Sequence, residues 1–178
     1  SDHGFCLIKR EVYLNAWLRK NGYLEFEKDP PEEISELKKT SKAFCLDPAR
    51  IYLHRKDRFP EGILTETQAL SLRNELKEKL LGLEFEGEKV LRAVYFPEEI
   101  YSGNELKNAP DLILVSKPGF DLKGSPAKKE IFTNTDLKGM HTFDDAFFWA
   151  KEFKQDKLKI TQLARIFIEK IIGNNPGT

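Results

Sequence analysis

Histidines are scarce in this sequence, at positions 3, 54 and 141 only, and they are the first candidates for chemistry. His3 follows Asp2 and precedes Gly4. A carboxylate and an imidazole are both ligands for divalent metal ions. Neighbouring side chains on a regular strand point to opposite faces, so joint ligation requires the strand to end here, and Gly4 permits an irregular backbone. The Asp-His pair is therefore a candidate metal site.

His141 lies just after Gly139, at the end of a long connection and ahead of an apolar run, where it has room to face a site. Thr142, Asp144 and Asp145 follow it, and a carboxylate at such a position can accept a hydrogen bond from a histidine N–H. A surface histidine followed by turn or cap residues is the alternative interpretation. His54 is predicted to be an exposed strand residue.

The charge balance limits the classes of partner. The chain has 178 residues, with 29 Lys and Arg against 29 Asp and Glu, so its formal net charge is zero. A broad electrostatic surface for nucleic acid or anionic lipid needs an excess of basic residues. Neither of these is therefore an expected partner. No run of about 18 apolar residues is present, so no membrane segment is predicted. The length and the 40% apolar fraction are typical of one globular domain.

Two cysteines, Cys6 and Cys45, are too few and too far apart for a disulfide framework or a C-x-x-C site. We predict two buried, reduced thiols, which favours a reducing compartment and a cytoplasmic location. The sequence opens with Ser1, and its only methionine is Met140. We therefore expect the chain to be processed or to be part of a longer polypeptide.

Helical and strand patterns alternate along the chain, which indicates an α/β or α+β class. Residues 65–81 combine an apolar stripe with a Thr65–Gln68 capping box and predict a helix ended by Gly82. Four apolar residues in a row at 112–115 predict a strand buried on both faces. The other predicted elements are helices over 10–21 and 159–172, a hairpin over 44–54, a strand over 91–96 and a strand at 146–150. Residues 117–139 form a long connection, a kind of loop that is usually functional.

Several motifs, taken in order, resemble the later part of the type I phosphodiesterase/nucleotide pyrophosphatase family of the alkaline phosphatase superfamily. The similar stretches are Ser1–Phe5 (SDHGF), Lys9–Leu18 (KREVYLNAWL), Asn21–Leu24 (NGYL), Lys42–Phe44 (KAF), Asp47–Leu53 (DPARIYL) and Gly139–Ala146 (GMHTFDDA). The closing helix is also similar to the family's C-terminal helix, so the resemblance covers nearly the whole chain.

The resemblance implies a hydrolase of phosphate esters or nucleotides that uses two divalent metal ions, Zn²⁺ with Mn²⁺ or Fe as alternatives. It assigns Asp2 and His3 to the metal ion nearest the nucleophile and His141 to the second. It also implies a Thr or Ser nucleophile and a covalent phospho-enzyme intermediate.

The family's nucleophile, an Asp ligand and an Asp-x-x-x-His pair all precede the Ser-Asp-His-Gly motif, and Asp-x-x-x-His is absent from this sequence. We therefore expect residues 1–178 to be the C-terminal portion of a larger catalytic domain, with a cap-like α+β insertion at about 43–124. The expected fold is the C-terminal part of an alkaline-phosphatase-like α/β sheet flanked by helices. No catalytic residue is assigned within the chain, which is expected to be inactive by itself and to bind metal weakly or not at all.

Loss of neighbouring strands would expose a sheet edge, so self-association is also expected. The competing hypothesis is a non-catalytic binding module with a related fold. The distance between His3 and His141 discriminates the two hypotheses, because paired metal ions lie only about 4 Å apart.

Overall fold

Strands and helices interleave in the computed structural model of the chain, which describes residues 1–149, 151 and 158–173. The strands are β1 Phe5–Leu7, β2 Arg10–Tyr13, β3 Ala43–Asp47, β4 Arg50–Leu53, β5 Glu84–Phe85, β6 Glu88–Lys89, β7 Leu91–Tyr95, β8 Leu112–Ser116, β9 Phe120–Lys123, β10 Phe132–Thr133 and β11 Gly139–His141. The helices are α1 Leu14–Lys20, α2 Glu66–Leu81, α3 Pro97–Ile100 and α4 Ile160–Gly173, with short 3₁₀ turns at Ile34–Glu36 and Asn104–Asn108.

The larger sheet has four antiparallel strands in the order β3-β4-β8-β7. In a second sheet, β2 lies between β10, which is antiparallel to it, and β9, which is parallel. Strand β1 pairs only with β11 among the described strands, and β5 pairs with β6. This mixture of helices and several sheets confirms the predicted α/β class.

The core lies where α2 covers the four-stranded sheet. Strand β8 is buried along its apolar run. Leu112 is 0% and Leu114 3% exposed on one face, and Ile113 and Val115 on the other face are less than 10% exposed. This burial confirms the prediction from the uninterrupted apolar run. The four-stranded sheet is contained within residues 43–124, whereas β9, at the end of that range, pairs with β2 outside it.

Helix α2 confirms its sequence prediction at both ends. The Gln68 backbone N–H donates to the Thr65 hydroxyl and the Thr65 N–H donates to the Gln68 side chain, which completes the capping box. Gly82 caps the other end. The apolar stripe is buried on the core side at Ala69, Leu72, Leu76 and Leu80.

Two consecutive leucines at the end of α2 give a matched pair for a stability test. Leu80 is fully buried and Leu81 is 37% exposed. We expect Leu80→Ala to lower the free energy of unfolding by about 2–5 kcal/mol, because the lost burial is compounded by a cavity. Leu81→Ala should cost less than about 1 kcal/mol because its site is open to water. Urea denaturation of both variants checks the difference, and equal losses would contradict the packing described here.

Some predicted elements were wrong. The predicted helix over 10–21 starts only at Leu14, because Arg10–Tyr13 forms β2 and pairs with β9 and β10. The long connection over 117–139 contains both of those partner strands. The apolar run at 146–149 is not a strand, and Phe147 and Trp149 are strongly exposed. Ala150, at the end of that prediction, lies outside the described residues.

His54 is buried, which corrects the prediction of an exposed strand residue. Its Nδ1 lies 2.9 Å from the Ser41 carbonyl oxygen, and its ring packs beside Phe44 and Phe59. The period-two pattern assigned His54 to the solvent face, but the chain leaves β4 at Leu53 and the alternation ends there.

Helix α4 confirms the prediction over 159–172, yet its apolar residues Ile160, Phe167 and Ile168 are each more than half exposed. None of the helices among the described residues is both long and apolar enough to cross a membrane.

The two cysteines are free, as predicted, but differ in burial. Cys45 is 1% exposed, and burial raises the pKa of its thiol to about 12. Cys6 is half-buried. Because the thiolate is the reactive form, we expect a thiol reagent at mildly alkaline pH to modify Cys6 readily and Cys45 only after denaturation. Counting modified thiols with and without denaturant tests this, with Cys6→Ser as the control that removes the fast phase. Equal rates for both thiols in the folded chain would contradict it.

Candidate functional site

The short pairing of β1 with β11 brings the first motif, around Asp2 and His3, next to the last motif, around His141. Phe5 lies opposite His141, Cys6 opposite Met140 and Leu7 opposite Gly139. Just beyond the strands, the Thr142 N–H donates to the Gly4 carbonyl oxygen at 3.0 Å. The Asp2-His3 pair, which directly precedes β1, therefore lies beside His141 although the chain separates them widely.

The His3 and His141 rings stack on each other. Their centroids are 3.6 Å apart and their planes differ by 16°. Phe5, which is 70% exposed, meets both imidazoles edge-on, at 5.0 Å from His3 and 5.3 Å from His141. An Asp2 carboxylate oxygen lies 3.6 Å from His3 Nε2, and His3 Nδ1 lies 3.1 Å from the Gly4 carbonyl oxygen. The structure thus brings together the three residues predicted as metal ligands.

These donors fit part of a metal centre. Within the described part of the chain, no three His, Cys, Asp or Glu side chains are arranged to hold one metal ion. Imidazole lone pairs lie in the ring plane, so two nearly parallel rings do not direct them at a common point. The residue types suit Zn²⁺.

Asp144 and Asp145, predicted as acceptors for a histidine N–H, have other partners in this structure. An Asp144 carboxylate oxygen lies 2.9 Å from an Arg92 guanidinium nitrogen. Asp145 accepts a hydrogen bond from the Thr142 hydroxyl, three residues earlier, as a turn residue would. The Asp145 contact matches the alternative interpretation of a turn residue. Asp144 instead forms an ion pair with a distant strand residue, which neither interpretation predicted.

Gly4 has a different role from the one the sequence suggested. Its φ lies outside the left-handed region, so the backbone does not demand glycine there. A Cβ built at Gly4 would instead collide with the Asp145 carboxylate. Glycine therefore leaves room for the Asp145 carboxylate in its observed position.

A cavity of about 660 Å³ adjoins His141. His141, Phe143 and Asp144 line one side, and Arg92, Tyr95 and Tyr101 line another. The Arg92 guanidinium also lies 5.2 Å from the centre of the Phe143 ring. The volume is within the range of small-molecule sites. Sequence reasoning missed the second group, because β7 and the segment after it carry no motif and only the fold brings them to His141.

Comparison with known proteins gave one positive finding. The sequence model of the family described as type I phosphodiesterase / nucleotide pyrophosphatase matches residues 1–144. The matched range includes Asp2, His3 and His141 and covers most of the 178 residues. Neither the curated proteins nor the solved structures gave a match.

Proposed function

Because the chain belongs to the type I phosphodiesterase / nucleotide pyrophosphatase family, we propose that it supplies part of the metal centre of a phosphoric-ester hydrolase. The observation that carries this proposal is the contact between His3 and His141, whose rings are 3.6 Å apart. The substrate class is a small phosphate ester or a nucleotide.

Asp2 and His3 would hold one divalent ion and His141 a second, with Zn²⁺ as the proposed metal and Mn²⁺ or Fe as alternatives. Such ions, when bound, polarise a phosphoryl oxygen and stabilise the charge that develops on it. The Gly4 carbonyl oxygen, 3.1 Å from His3 Nδ1, can accept the proton of that nitrogen. That bond would fix the tautomer and leave Nε2 as the metal-binding atom.

The cavity beside His141 would receive the organic part of the ester. Its walls are largely aromatic and apolar, and Arg92 is held in place by Asp144. The Arg92 and Tyr95 walls come from the four-stranded sheet in residues 43–124. We propose that this region acts as a cap-like insertion over the site.

Three donors shared between two ions leave each ion short of the three or four protein ligands that zinc sites usually have. We therefore propose that the remaining ligands and a Thr or Ser nucleophile come from polypeptide outside this segment. By this proposal, the chain has no hydrolytic activity alone and binds metal weakly.

Hydrolysis of bis(p-nitrophenyl) phosphate in the presence of Zn²⁺ tests the proposal. The complete gene product should release p-nitrophenol, and residues 1–178 alone should not exceed the buffer rate. Chelation followed by return of Zn²⁺ should abolish and restore the activity. A complete product without metal-dependent turnover would favour the alternative, a binding module with a related fold.

We propose a cytoplasmic location, with which two free thiols are compatible.

We also propose that the chain self-associates. The β1–β11 pair carries exposed Phe5 and Leu7, and an exposed apolar surface of this kind can bind a second copy. Sedimentation of the chain should therefore show dimers or larger species, and a monodisperse monomer would oppose self-association.

A further inference from the structure

The segment before β1 and the segment after β11 are joined by a small set of contacts directly beside the stacked histidines. We name Gly4, Thr142 and Asp145 together the Gly4 clamp. The Thr142 N–H donates to the Gly4 carbonyl oxygen at 3.0 Å, and the Thr142 hydroxyl donates to the Asp145 carboxylate. The clamp thus links the residue that follows His3 to the residue that follows His141.

Asp145 closes directly over Gly4. The three atoms nearest to a Cβ built on Gly4 are all in the Asp145 carboxylate group, and all three would be in collision with it. A side chain at position 4 would therefore displace the Asp145 carboxylate from Gly4. Position 4, beside His3, and position 145, after His141, are thus in direct contact.

The strand pairing beside the histidines is short. Strands β1 and β11 contribute three residues each and, among the described strands, pair only with each other. An isolated two-stranded pair is marginally stable in water. Contacts at its ends add restraint. The Ile8 N–H donates to the Lys138 carbonyl oxygen at one end. The clamp lies at the other end, next to the Phe5–His141 pair.

We propose that Asp145 is a positioning residue, which acts through Thr142 and Gly4 to hold the His3 ring against the His141 ring. The significance of this placement for hydrolysis rests on the proposed function, because only metal binding gives the ring spacing a chemical purpose. The geometric claim does not depend on it. Asp145 itself needs no contact with substrate or metal in this role.

Proton NMR of the 178-residue chain tests the clamp without metal or turnover, since the chain has three histidines and two of them form the stack. We expect a cross-peak through space between the ring protons of His3 and His141. Gly4→Ala and Asp145→Ala should each lose it. Asp145→Asn should keep it, because its amide oxygen still accepts from the Thr142 hydroxyl and its shape is unchanged.

His54 is the internal control, because it is buried and bonded to Ser41 within the core. Its resonances should stay in place in each variant whose fold is intact. If Gly4→Ala does not fold, the comparison of the His3–His141 cross-peak in Asp145→Ala and Asp145→Asn tests the proposal. A cross-peak that persists in Asp145→Ala, or that is lost equally in Asp145→Asn, would overturn the proposal, as would its absence from the unmodified chain. Failure of metal binding or hydrolysis would leave these results unaffected.

Discussion

Replacing His141 with alanine in the complete gene product should lower kcat/KM for bis(p-nitrophenyl) phosphate by at least about 100-fold, or about 2.7 kcal/mol of transition-state stabilisation. Loss of a partner that only supports a metal ligand already costs 10–100-fold. Loss of the ligand itself should reach or exceed that range, because His141 is the one donor assigned here to its ion. Steady-state kinetics with saturating Zn²⁺ measures the effect.

Phe5→Leu is the matched control for His141→Ala. Phe5 meets both imidazoles edge-on and lies opposite His141 across the strand pair, yet it offers no metal-binding atom. Its replacement should change kcat/KM by less than about tenfold, since aromatic contacts of this kind contribute only about 0.5–1.5 kcal/mol. Similar losses in both variants would indicate that the ring packing matters rather than metal ligation.

Replacing Asn15 with alanine should lower the free energy of unfolding by about 3 kcal/mol or more. The Asn15 amide is fully buried and joins three backbone groups from different parts of the chain. Its nitrogen donates to the carbonyl oxygens of Cys45 at 2.9 Å and Gly124 at 2.7 Å, and its oxygen accepts from the Cys45 N–H at 2.8 Å. Alanine leaves these three backbone groups without a partner. It also removes the hydrogen bonds that join helix α1 to strand β3 and to the segment after β9.

Asn21→Ala is the control for that prediction. Asn21 also donates from its amide to a backbone carbonyl, that of Trp17 at 2.8 Å, but it is exposed, so water can replace the bond. We expect a loss of less than about 1 kcal/mol. Chemical denaturation of the two variants provides the comparison. A small effect at Asn15 would contradict its role in joining helix α1 to the sheets.

Local patterns predicted the elements whose stabilising contacts are themselves local. Helix α2 was predictable because its capping box and apolar stripe lie within its own residues. Strand β2 was not, because Arg10–Tyr13 is extended only through pairing with β9 and β10, more than a hundred residues later. His54 follows the same logic, since its burial depends on Ser41 and Phe59 from neighbouring loops.

Residue types indicated Asp2, His3 and His141 as candidate ligands, but the sequence carries no signal of how they meet. Their approach follows from the β1–β11 register, which places Phe5 opposite His141. Arg92, on the wall of the adjoining cavity, was missed because an arginine in a strand is usually an exposed surface residue. Its ion pair with Asp144 forms only in the folded chain, because the two residues are far apart in the sequence.

The most direct test of the two-ion assignment is an anomalous X-ray diffraction map of the complete gene product crystallised with Zn²⁺. Two peaks are predicted, about 4 Å apart, with Asp2 and His3 bound to one and His141 to the other. One peak ligated by both histidines, or no peak within coordinating distance of them, would contradict the account.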